Sequence, residues 1–299
     1  MTDLKTQAID NAKVIDFRVR VPAQLCPKIE TPQENKTQYD AVLAIGDKYQ
    51  QAQTVDDLLQ QMDSNGVDHA IVHAEHEHGD VADELNRAVA GMVVQHPDRF
   101  TGIGTVSLEN FTIKRALKQI EDCVELGMIG LSIEPAFFNM TLDEKKLYPI
   151  YAKAMENNLL VALHTGINYT THQPMAGENP ILLDQIACDF PDLTLVASHG
   201  GWPWINEMVA VARKHPQVFI EFGGIAPKYV AAQGGGWEVM HRFMNSVLKD
   251  QILYGTDWPT MDHKRTWAEW REMGLKAEVL ERLLVGNARG LLKNFYDKI

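Results

Sequence analysis

Eight short apolar runs, each followed by a stretch of helical periodicity, constrain this chain more than any other feature. The runs are residues 13–20, 68–74, 100–106, 129–133, 160–164, 193–198, 218–222 and 251–255. They are rich in Val, Ile, Leu and Phe, as strands buried on both faces must be. Strands that alternate with helices build a parallel sheet with helical crossovers, and eight strands close it into a barrel. An open doubly wound sheet is the competing arrangement, but no glycine-rich phosphate loop follows the first strand. The pattern therefore predicts an α/β chain with a single (β/α)8 barrel over residues 13–299, preceded by an N-terminal extension at residues 1–12.

Local signals support these boundaries. Thr54, Asp80 and the capping-box pattern Thr141-Leu-Asp-Glu are expected to start helices. His96-Pro97, Phe190-Pro191 and His215-Pro216 are expected to end them just before the next strand. One connection is longer than barrel loops require. Residues 21–53 follow the first strand and carry Pro22, Pro27 and Pro32. That position lies at the carboxyl end of the barrel, where a long loop serves as a lid or binding segment.

Charge and cysteine content exclude several classes. A net charge of −12 argues against nucleic acid and anionic membranes as partners. No apolar run reaches membrane-spanning length, and the polar, acidic N-terminus is unlike a signal peptide. Cys26, Cys123 and Cys188 show no paired spacing and read as free thiols in a reducing cytoplasm. A nucleophilic Cys26 lacks a partner base in the sequence.

Catalytic groups of such barrels sit at the carboxyl ends of the strands. In order these are Arg18 and Arg20, Glu75 or His76, Ser107, Glu134, His164, His199, Glu221 and Asp257. Lone histidines after apolar strands are usually structural. Convergence of His164, His199 and Asp257 from strands five, six and eight points instead to a site. Asn168, Tyr169 and His172 after strand five, with Trp202 and Trp204 after strand six, are placed to line its mouth. Glu134 and Glu221 can balance buried arginines.

The segments Ile-Asp-Phe-Arg18-Val-Arg20, Leu-His164-Thr-Gly, Ser-His199-Gly-Gly and Tyr-Gly-Thr-Asp257-Trp-Pro resemble the amidohydrolase superfamily. Within it the chain resembles the amidohydrolase-related branch that holds aminocarboxymuconate-semialdehyde decarboxylase and other aromatic-acid decarboxylases. The resemblance runs from about Lys13 to Leu292. It implies one divalent metal, zinc or manganese, held by a strand-one His-x-His with the strand-five His and strand-eight Asp. It also implies a catalytic strand-six His and a homodimer or tetramer.

Here Arg18 and Arg20 occupy the His-x-His positions, and guanidinium groups have no lone pair for a metal. No metal or other cofactor is therefore expected. If a metal is present, His164, Asp257 and His199 are its expected ligands, and His73-Ala-Glu-His76-Glu-His78 could supply ligands to a displaced ion.

The resulting expectation is a hydrolase acting on a small anionic, carboxylated substrate, with aromatic acids and lactones as the candidate classes. A metal-independent lactonase in the wider superfamily provides the precedent. Arg18, Arg20, Tyr169 and Trp202 would bind the substrate, Asp257 would be the general base, and His164 and His199 would polarise or protonate. A carboxy-lyase of an aromatic or unsaturated acid is the alternative, and a non-catalytic anion-binding relative the second.

Overall fold

The structure is a computed structural model that describes residues 2–28, 54–231 and 233–296. Most of the long connection after the first strand, residues 29–53, lies outside the described residues, and so does the lid expected there. In chain order the elements are α1 (Thr2–Asn11), β1 (Ile15–Arg20), α2 (Val55–Asn65), β2 (His69–His73), α3 (Ala82–Gln95) and β3 (Phe100–Ile103). Then come α4 (Ile113–Glu125), β4 (Gly130–Ile133), α5 (Tyr148–Glu156), β5 (Leu160–His164), α6 (Leu182–Asp189) and β6 (Leu195–Ser198). The last third holds α7 (Ile205–Lys214), β7 (Val218–Glu221), α8 (Pro227–Ala231), α9 (Glu238–Met244), β8 (Ile252–Leu253), α10 (His263–Glu272), α11 (Ala277–Glu281) and α12 (Asn287–Tyr296).

All eight expected strands form, each within a few residues of its predicted run. They pair in parallel and in sequence order, β1 to β3 and β4 to β8. Bridges between Gly104 and Leu131 and between Val19 and Trp258 join the two sets. Backbone bonds from Phe17 N to Tyr254 O (2.8 Å) and from Asp257 N to Arg18 O (2.8 Å) complete the closure. The fold is a (β/α)8 barrel.

Two apolar layers follow from strand alternation. Ile15, Phe17, Ile71, Leu160, Ala162, Val196 and Leu253 fill the barrel interior. Val19, Val72, Leu131, Val161, Leu163 and Ile220 face the helical ring. Each such Val, Leu, Ile or Phe side chain removed from water contributes roughly 1.5–3 kcal/mol.

The residues expected as an extension are part of this packing. Ile9 and Ala12, in and just after α1, join the interior cluster beside Leu291 and Leu292 of α12. Among the described residues, no helix is long and apolar enough to cross a membrane.

Some helix starts differ from expectation. Thr54 caps α2 with a reciprocal capping box through Asp57. Asp80 caps nothing, because its carboxylate is drawn to Arg115 and to Ser107 Oγ (2.6 Å). Thr141 starts no helix either. Its hydroxyl bonds Asp143 at 2.8 Å, and α5 begins at Tyr148 with Pro149 in its first turn. The three expected stops hold, with His96, Phe190 and His215 at the C-caps of α3, α6 and α7.

Candidate active site

The geometry of the site begins with an irregularity in β1. Ile15 and Phe17 point into the barrel, so strict alternation would send Arg18 outward. The β1–β2 register shifts between Asp16 and Val19, as a bulge does when it re-aims side chains. Val19 then packs outward while Arg18 and Arg20 turn toward the barrel's upper end. Asp16 stays outside and accepts bonds from Thr256 N (3.0 Å), Thr256 Oγ1 (2.5 Å) and His263 Nε2 (2.9 Å), pinning β1 to the end of β8.

Arg18 was expected to clamp substrate, but it is 1% exposed and lies beneath the cavity floor. Its Nη1 meets Ser198 Oγ at 3.0 Å and His73 Nδ1 at 3.3 Å. Its Nη2 pairs with Glu75 and, at 3.4 Å, with Glu134, while Nε reaches Asp257 Oδ1 at 3.2 Å. Burial alone would lower this guanidinium's pKa. The charges of Glu75, Asp257, Glu221 and Glu134 together hold it above its ordinary value. Gly255 makes room for this cluster, since a Cβ there would collide with the Glu221 carboxylate.

Arg20 sits one step higher and is 15% exposed. It holds both Asp257 oxygens, Oδ1 from Nε at 2.9 Å and Oδ2 from Nη2 at 3.2 Å, and pairs with Glu75 and Glu77. Two cations thus face Glu75, Glu77, Glu134, Glu221 and Asp257, and the carboxyl groups respond differently. Burial opposes ionisation of Asp257, but Arg20 and Arg18 hold it well below the usual carboxylate range. Burial, and then the Glu75 charge, push Glu134 well above that range. Burial pushes Glu221 up to about 8, against the pull of Arg18. Asp257 stays anionic and doubly clamped, a poor general base.

Above this floor Arg20, Glu77, His164, Ile167, Tyr169, His199, Trp202, Gly224, Ile225, Asp257 and Thr260 line a cavity that opens to solvent. The structure therefore gathers Arg20, His164, His199, Tyr169, Trp202 and Asp257 as expected, with Arg18 below them. His172, Trp204 and Ser107 do not line it. Cys26 does not either; burial pushes its thiol up to about 11, so it is no ready nucleophile.

The two imidazoles lie with centroids 4.5 Å apart and planes tilted by 56°. His199 Nδ1 lies 2.7 Å from Gly223 O. A carbonyl only accepts, so Nδ1 carries the proton and Nε2 is an acceptor with no partner among the described residues. Burial, with the nearby Arg18 charge, keeps this ring neutral to well below its ordinary pKa. His164 Nδ1 lies 2.7 Å from Glu178 Oε1, bent from the ideal hydrogen-bond line. Two bare acceptors cannot approach so closely, so a proton sits between them; carried on Nδ1 of a neutral ring, it leaves Nε2 as the acceptor.

Glu178 is fully buried and steadied by Asn168 Nδ2 at 2.5 Å. Sequence reasoning missed it, because it lies fourteen residues past His164, at the end of a single 3-10 turn (Met175–Glu178) too short to show a period. His199 and Asp257 also adopt left-handed backbone, φ 64° and 55°. Strain of that kind collects at functional sites.

The divalent metal implied by the family resemblance does not fit these residues. Arg18 and Arg20 engage both oxygens of Asp257. His164, His199 and Asp257 do not bring ligand atoms within 4.8 Å of one another, and neither do His73, His76 and His78. His73 instead faces Arg18, Ser132 and Phe17 O, and His76 packs on Phe138.

Known proteins share this architecture. The Amidohydrolase family model matches residues 16–293. A 2-amino-3-carboxymuconate-6-semialdehyde decarboxylase of Dictyostelium discoideum is 28% identical over 86 residues, which span 28% of this chain and 23% of that relative. An uncharacterised TIM-barrel protein from Bordetella bronchiseptica superposes with a TM-score of 0.74 at 26% identity, covering 93% of this chain and 98% of its own. The 5-carboxyvanillate decarboxylase of Sphingomonas paucimobilis gives 0.68 at 17% identity, with coverages of 95% and 99%.

Proposed function

The chain belongs to the amidohydrolase family, and from that premise we propose that it is a hydrolase of small carboxylated substrates that works without a divalent metal. The observation that supports this most is the pair of imidazoles. His164 and His199 both direct protonated Nδ1 atoms into the protein, which leaves Nε2 acceptors for the cavity. Two convergent acceptors suit an O–H group, and a water is the simplest one.

His164 takes the proton from that water, and the Glu178 carboxylate stabilises the imidazolium that forms. His199, held neutral by burial, orients the water without competing for the proton. The oxygen attacks a substrate carbonyl, its bond to the leaving group breaks, and His164 returns the proton to that group. Arg20 brings positive charge to the cavity wall, where a substrate carboxylate meets it. Asp257 fixes the Arg20 fork instead of serving as the base. Tyr169, Trp202, Ile167 and Ile225 enclose a planar body of the substrate.

A second reading, a carboxy-lyase, is favoured by the decarboxylase activity named for the Dictyostelium relative. In it no water is consumed. His164 Nε2 first takes up a proton from solvent; carbon dioxide leaves, and that proton passes to the carbon left behind.

Turnover of a panel of small aromatic esters, lactones and unsaturated acids in ¹⁸O-labelled water separates the two. Hydrolysis places one labelled oxygen in the product and releases no carbon dioxide. Release of carbon dioxide with one solvent proton on carbon overturns it in favour of the lyase. Activity is expected to survive exhaustive chelation.

A further inference from the structure

On the outer wall of the barrel, the end of α7 reaches α6, and three donors of metal-binding type meet there. Asp184 and Cys188 stand one turn apart on one face of α6. His215 follows at the C-cap of α7. One ligand atom from each lies within 4.8 Å of the other two, and among the described residues no other trio of His, Cys, Asp and Glu comes so close.

The trio is already drawn together. His215 Nε2 lies 2.6 Å from Asp184 Oδ1. Lys214 Nζ lies 2.7 Å from the same oxygen and 3.9 Å from Cys188 Sγ. Lys214 is thus a counter-charge shared by a carboxylate and a thiol. It is 56% exposed on a flexible stem, whereas His215 is 9% exposed and held in place. Cys188 faces solvent, so an ion can reach it.

We propose that Asp184, Cys188 and His215 form a binding site for a borderline-soft divalent cation of the zinc class. Thiolate, imidazole and carboxylate are the donors such an ion selects, at bonds of about 2.0–2.3 Å. Small side-chain rotations bring Cys188 inward and part His215 from Asp184. Lys214 swings into solvent, and water takes the fourth position. The ion then clasps α6 to the end of α7, remote from the barrel-end cavity.

This site matters for any metal analysis, because zinc bound here is easily mistaken for zinc in the barrel. The test is a cobalt(II) titration of chelator-stripped, reduced full-length protein. The wild type is expected to bind one equivalent with a thiolate-to-cobalt charge-transfer band that zinc abolishes. Cys188→Ser, a change at an exposed position, is expected to lose the band, and His215→Gln to weaken binding by about ten-fold or more. Lys214→Met is expected to tighten it several-fold.

Absence of the band at millimolar cobalt, or its persistence in Cys188→Ser, overturns the proposal. The function proposed for the barrel end fails separately. Stoichiometric metal that remains in Cys188→Ser and is required for turnover overturns the metal-free mechanism and leaves the outer site standing.

Discussion

Arg18 carries its charge in a place where charge is costly. A guanidinium 1% exposed is tolerated because Glu75, Glu134 and Asp257 surround it and Ser198 and His73 accept its remaining protons. Asp257 serves both arginines, so Asp257→Asn removes a charge from two buried pairs at once. Loss of one partner of such a pair costs about 3–5 kcal/mol. Urea unfolding of the variant should show a loss of that size, and a change within experimental error would mean that the remaining carboxylates suffice. Glu178 acts differently, through His164 alone. Glu178→Gln keeps the side chain's shape and its contact with Asn168 but withdraws the charge behind the imidazole. It should lower kcat by about 10²-fold or more and leave KM nearly unchanged. A rise in KM at constant kcat would make Glu178 a determinant of pocket shape instead.

Among the elements, β1 shows what pattern reading can and cannot reach. Its residue types place it as the first barrel strand, and its neighbours in sequence place Arg18 and Arg20 at its carboxyl end. Which way those arginines point depends on the bulge between Asp16 and Val19, and no residue in Ile-Asp-Phe-Arg-Val-Arg announces a bulge. The strand-end carboxylates Glu75, Glu134 and Glu221 were legible as candidates, since alternation carries each one into the barrel mouth. Their service to the protein's own cations, and not to a ligand, depends on packing across the barrel. Glu178 was illegible for a simpler reason, because a single 3-10 turn is too short to show a period from which to predict a direction. Helix signals split the same way. The Thr54 box formed from its own local spacing with Asp57, whereas Asp80 was claimed by Arg115, thirty-five residues away. Thr54→Ala should therefore cost about 0.5–2 kcal/mol, readable as a lower urea midpoint with an unchanged slope, and Asp80→Ala should leave helix α3 no less well formed by amide exchange at its first turn.

Across the whole molecule, the buried ionisable groups work against one another as pH changes. His69 and His76, each lowered to about 4 by burial, stay neutral in the folded chain, as do His73 and His199, which burial also holds well below their ordinary value. The unfolded chain protonates all four near their ordinary value, so stability falls as pH drops below about 6.5. Clamped Asp257 adds to the acid loss at lower pH, because its stabilisation exists above the ordinary carboxylate range and disappears as pH falls. Glu221 acts in the opposite direction. Its folded pKa of about 8 exceeds its unfolded value, so the folded state holds a proton that the unfolded state has released. The resulting stability is full in acid and is lost as pH rises toward about 8, at no more than about 1.4 kcal/mol per pH unit. Glu134 is shifted the same way. Opposed slopes place the stability maximum near neutrality and make the alkaline side sensitive to these two buried carboxyls. Glu221→Gln retains an acceptor for Gly223 N and cannot ionise. Denaturant unfolding of the wild type and this variant should give free energies that diverge in the variant's favour as pH rises through the carboxylate range to about 8, then run level. Curves that stay parallel over that interval would mean that Glu221 is already ionised beside Arg18, and the proton would have to be assigned to Glu134.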